Sequence, residues 1–140
     1  MTRAEWQQLA EDRILDAGAL AAVQRWSAAF YLAGYAVECG LKSCILVRLA
    51  AHPEVIFEDK KFSPDCWTHD LESLVALADL KAVRNTDAGA DPALYTNWQW
   101  VKDWTEKARY QQKTQPQAQQ LIDAVTDPAH GVMQWIRRHW

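Results

Sequence analysis

The chain has 140 residues, 49% hydrophobic and 24% charged, the size and balance of one ordinary soluble globular domain. A net charge of −3 exerts no overall pull toward nucleic acid or an anionic membrane. The three cysteines, an odd number without regular spacing, exclude a disulfide framework.

Strand signals are almost absent, and the pattern predicts an all-α, up-and-down bundle of about five helices in one domain, residues 1–140. The first helix is expected from Thr2 to Ala22, opened by the capping box Thr2-Arg-Ala-Glu5, with Trp6, Leu9, Ile14 and Leu20 inward. This opening lacks the apolar core of a signal peptide, so a cytoplasmic location is expected. The second helix, about Ser27 to Ala51, is the spine and stops before His52-Pro53. Its longest uncharged run, the twelve residues 26–37, is too short to span a bilayer, and no membrane partner is expected. Ala29, Ala33, Ala36, Gly40 and Ser43 or Cys44 form a small-residue ridge on it. With Gly34, they imply close packing inside the bundle or against a second copy.

Residues 52–68 read as a long loop. A short third helix is expected from Thr68 to Leu80, with Leu71, Leu74, Val75 and Leu77 inward. Asn85 to Asp91 is polar, contains glycine and reads as a turn segment. Asp91-Pro92 supplies an N-cap and a first-position proline for a fourth helix reaching about Tyr110, with Leu94, Trp98, Val101, Trp104 and Ala108 at helical spacing. A fifth starts near Pro116 and is broken by Asp127-Pro128; a last helical segment, Val132 to Trp140, closes the chain. Eight tryptophans at mostly helical spacing suit a small core rich in aromatic area.

The chemistry concentrates on the spine. Tyr31, Tyr35, Glu38 and Lys42 are spaced to lie on one side of it, a polar and aromatic strip on a helix otherwise built for burial. A charged pair there needs partners. Glu38 either meets Lys42, His69 or Arg109 in a network internal to the bundle, or these same residues line a cleft. His69-Asp70 opens the third helix, where local hydrogen bonding is the simple role. Arg109-Tyr110 ends the fourth, where a base also suits the negative end of the helix dipole. Cys66 and His69 make one C-x-x-H without a second pair, so no metal site and no cofactor is expected. Phosphate-binding glycine loops, G-x-S-x-G and H-E-x-x-H are all absent. Residues 80–113 hold six bases against four acids, a small local excess.

Three stretches, in this order, resemble the HEPN superfamily of small helical domains: Ala33-x-Tyr35-Ala36-Val37-Glu38-x-x-Leu41-Lys42, His69-Asp70-Leu71, and Arg109-Tyr110. The resemblance covers about residues 5–137. It implies a helical bundle that pairs as a homodimer in toxin–antitoxin, phage-defence and RNA-processing systems, often beside a small nucleotidyltransferase. Active members are metal-independent endoribonucleases with an Arg-x4–6-His motif at a dimer interface. None of the eight arginines here is followed by histidine at that spacing; Arg48 and His52 fall one residue short. No catalytic residue is therefore assigned. The expected function is a non-catalytic or accessory module binding a partner protein, nucleotide or RNA, with Tyr35, Glu38, Lys42, His69, Asp70, Arg109 and Tyr110 as candidates for a ligand site or polar network. The alternatives are a ribonuclease toxin with an atypical site and a purely structural dimerisation protein.

Overall fold

A computed structural model describes residues 1–140, and it is all-helical. Helix α1, Arg3–Ala22, begins at the capping box: the Thr2 hydroxyl accepts from the Glu5 N–H at 3.2 Å, and the Glu5 carboxylate accepts from the Thr2 N–H at 2.6 Å. Just past its end Gln24 takes a left-handed φ of 61°. That tight turn sends α2, Trp26–Ala51, back along α1 as a helical hairpin. At 1.5 Å per residue α2 is ~39 Å long, and α5, α8, α9 and the segment around Glu106–Tyr110 all pack on it.

The spine's small residues are explained by this packing. Ala29, Ala33, Ala36, Gly40, Ser43 and Cys44 are all buried. A Cβ on Gly34 would overlap the Trp104 indole, and one on Gly40 would lie 2.9 Å from Ile136 Cγ2. Both glycines thus serve contacts within this chain. By length and composition α2 does qualify to cross a membrane, which its three charges had argued against; 61% of its most apolar window is buried among the other helices.

Residues 52–68 contain two one-turn helices, α3 (Val55–Glu58) and α4 (Phe62–Asp65), pinned by buried Val55 and Phe62. Helix α5, Leu71–Leu77, follows, capped by the Asp70 carboxylate, which accepts from Ser73 N–H at 2.7 Å.

The chain then departs from the expected turn. Lys81–Ala90 is helix α6. Its Arg84, Asp87 and Ala88 share one face at i, i+3, i+4 spacing. Arg84 pairs with Glu72 and lies over the Trp98 ring, Asp87 accepts from Trp135 Nε1 at 2.8 Å, and Ala88 is buried. Partners distant in sequence therefore hold a polar segment helical.

Helix α7, Pro92–Val101, starts as expected at the Asp91 cap but stops nine residues early; Glu106–Tyr110 is a 3-10 turn. The break lets Trp104 reach Gly34. Helices α8 (Gln115–Thr126), capped by Thr114 and Gln117, and α9 (Val132–Arg137) complete nine α-helices. The count exceeds five because the loop, the turn segment and the chain end each form short helices. Twenty-eight buried residues form one core cluster, including Trp98, Trp104 and Trp135.

Candidate functional site

Glu38 sits in the middle of α2 and is 1% exposed. Its Oε1 accepts from Lys42 Nζ at 2.9 Å, the i+4 neighbour on the same helix, and lies 2.9 Å from His69 Nδ1. Lys42 Nζ also lies 5.2 Å from the centre of the Trp6 ring, so α1 closes over it. His69 is set just ahead of α5 by a local turn in which Asp70 N–H donates to Thr68 Oγ1 at 3.1 Å. Facing a carboxylate, Nδ1 is the protonated nitrogen and Nε2 the acceptor of the neutral ring. Glu38 thus ties α2 to the start of α5 through one carboxylate oxygen, and Lys42 adds α1 through the Trp6 ring; the buried Glu38 Oε2 has no side-chain or backbone donor.

The other members of the strip behave differently. Tyr35 stacks on Tyr31 with ring centres 6.0 Å apart, and Tyr31 stacks in turn on Trp104 at 5.9 Å. Burial, then the Cys39 thiol and the Glu38 charge, push the Tyr35 phenol up to about 12. Burial raises the Cys39 thiol to about 12 as well, which removes it as a nucleophile. Asp70 is a helix cap.

Arg109 and Tyr110 do not join Glu38, contrary to one of the arrangements expected from sequence. Because α7 ends at Val101, they lie on the 3-10 turn against the N-terminal end of α2. Tyr31 and Glu38 are seven residues apart on α2, a rise of ~10 Å. The Arg109 guanidinium sits 4.9 Å from the centre of the Tyr110 ring; hydrogen bonding to the Tyr110 hydroxyl, with Tyr31 nearby, holds it more firmly protonated than usual.

Here an open cavity of about 650 Å³ is lined by Arg25, Trp26, Tyr31, Arg109, Tyr110 and Lys113, with small and amide residues between them. Its floor is fixed by Lys113 N–H donating to Ser27 Oγ at 2.8 Å. Three cationic and three aromatic residues line it and no carboxylate or histidine does; the Lys113 ammonium rests 4.5 Å from the centre of the Phe30 ring at its edge. Arg25, Trp26 and Lys113 were not singled out from sequence. Arg25 and Lys113 lie 88 positions apart, and only the weak basic excess of residues 80–113 hinted at the site. No three His, Cys, Asp or Glu side chains converge in a metal-holding arrangement.

The chain matches no protein-family model, no curated protein and no solved structure.

Proposed function

We propose that the chain is a single HEPN-like helical domain without nuclease activity, which binds a phosphate-bearing ligand, nucleotide or RNA, in the cleft formed by Arg25, Arg109 and Lys113. It serves as an accessory component of a toxin–antitoxin or defence-type system, cytoplasmic and homodimeric, beside a nucleotidyltransferase-type partner. The fold-family and system assignments rest on the sequence resemblance. The binding assignment rests on one observation: three cations and three aromatic rings around one open cavity that no acid lines.

The chemistry fits that role. Arginine offers a planar fork to phosphate oxygens, and lysine adds a point charge. Exposed Tyr110, with Trp26, offers ring surface on which bases stack without regard to sequence. Scission of RNA needs in addition a base at the 2′-hydroxyl. No side chain lining the cavity supplies one, and His69, the histidine of the HEPN-like pattern, stands beside Glu38 and not in the cavity.

Titration calorimetry with ATP and with a single-stranded RNA oligonucleotide tests this. Binding should weaken as salt rises, and Arg109→Ala and Lys113→Ala should each weaken it by roughly tenfold or more. No binding by the wild type to either ligand would reject the reading.

A further inference from the structure

A second cavity, of about 370 Å³, adjoins the cationic cleft. Lys113 lines both, and its ammonium rests on the Phe30 ring, which belongs to the second. Tyr31 of the cleft stacks on Trp104 of the cavity with ring centres 5.9 Å apart, so the two share a wall. The volume is that of a small-molecule site. Phe30 and buried Trp104 give the cavity an apolar lining, and Trp100, 50% exposed, adds open ring surface.

The polar groups differ from those of the cleft. Asp103, just past the end of α7, is the one carboxylate and enters none of the ion pairs of the fold. Gln117 and Gln120 share one side of α8 and line the cavity together. The Gln117 amide oxygen accepts from Thr114 N–H at 2.9 Å in the helix cap, which leaves its NH2 group to donate. Rings for stacking, with an acceptor and a donor for the Watson–Crick edge, are what a nucleobase site requires. The lone carboxylate decides among the bases, because it only accepts. Guanine presents two adjacent donors, N1–H and its 2-amine, beside the O6 acceptor. Adenine and cytosine set a ring acceptor next to their amine, and the N3–H of uracil lies between two carbonyls, so each would place a lone pair against Asp103.

We propose that this cavity seats a guanine base, with Asp103 accepting from N1–H and the 2-amine, Gln117 donating to O6, and the phosphate lying past Lys113 in the cationic cleft. The inference rests on the cleft binding phosphate, and adds to it a preference among bases that the rings of the cleft do not supply.

Titration calorimetry of the full chain with GTP, ATP and inorganic triphosphate separates the two readings. GTP should bind roughly tenfold more tightly than ATP, the effect of hydrogen bonds to a charged acceptor. Asp103→Asn should bring GTP down to the level of ATP, while inorganic triphosphate binds no more weakly than to wild type. Trp100→Ala should weaken GTP roughly tenfold and leave inorganic triphosphate unchanged. Both positions are exposed, and circular dichroism checks that the variants fold. Oligouridine with and without a single guanine distinguishes the source of the base. A guanine preference confined to the free nucleotide, or one confined to the oligonucleotide, supports the inference and assigns that source. Triphosphate binding with no guanine preference in either comparison, or a preference that Asp103→Asn leaves intact, would overturn it while the phosphate cleft stands. Absence of binding by every one of these probes would reject the cleft reading and this inference with it.

Discussion

His69 Nδ1 lies 2.9 Å from Glu38 Oε1, although the two residues are 31 positions apart and the carboxylate is 1% exposed. The same oxygen holds Lys42. A buried acid that gathers a base from its own helix and another from the start of α5 is a joint between elements. Removing either member of the Glu38–Lys42 pair costs more than the pair's formation gains, because a buried charge then loses its closest opposite charge.

Lys42→Met should therefore destabilise the fold by about 3–5 kcal/mol, and Glu38→Ala by a similar amount. The double variant Glu38→Leu/Lys42→Met should recover much of that loss, since no unpaired charge remains. Urea unfolding of the three variants measures this. Single-variant losses within ~0.5 kcal/mol of zero would contradict the structural role.

The glycines of the long helices give a graded test of packing. Gly18, exposed in α1, has nothing within 4 Å of an added Cβ, so Gly18→Ala should stabilise by roughly 0.5–1 kcal/mol. Gly40→Ala meets the branch methyl of fully buried Ile136 at 2.9 Å, which is fixed at χ1, and should cost about 1 kcal/mol, less than Gly34→Ala. Gly34→Ala drives a methyl into the Trp104 indole and should cost about 1–3 kcal/mol. Thermal melts that rank the three in any other order would contradict the packing described.

The Asp91–His130 contact, 2.8 Å from Oδ2 to Nδ1, gives a pH signature. Asp91 raises His130 above its ordinary 6.5, first by hydrogen bonding and then by charge, with Asp127 adding to it. His130 in return holds Asp91 below 3.8. Stability from the raised histidine is present below pH 6.5 and is lost as pH rises through its higher folded value. Stability from the depressed carboxylate is present above pH 3.8 and is lost as pH falls through its lower folded value. The wild type should thus melt above His130→Asn by the widest margin between about pH 4 and 6.5, with the margin narrowing by about pH 8. His139, lowered by burial, is common to both proteins and cancels in the difference. A margin that grows above neutrality would contradict the assignment.

Much of this was legible in the sequence, for local reasons. The caps at Thr2 and Asp91 depend on neighbours three residues on, and the approach of Lys42 to Glu38 on one helical turn. What escaped depended on distant contacts. Helix α6 reads as a turn until Arg84 meets Glu72 and Trp98. The periodicity of Leu94, Trp98, Val101, Trp104 and Ala108 suggests one helix to Tyr110; all five are buried, yet the last two are reached after a break. That break carries Arg109 away from Glu38 and toward Arg25 and Lys113, a convergence no spacing rule contains.

We propose that the polar cluster on α2 is a structural joint and that the cationic cleft binds its ligand without a catalytic base. The most direct measurement incubates purified protein with labelled single-stranded RNA in chelator, recording binding and cleavage in the same samples. Salt-sensitive binding that Arg109→Ala and Lys113→Ala weaken is expected, with the RNA left intact. Metal-independent cleavage by the wild type, abolished in both His69→Ala and Arg109→Ala while each variant remains folded, would contradict it.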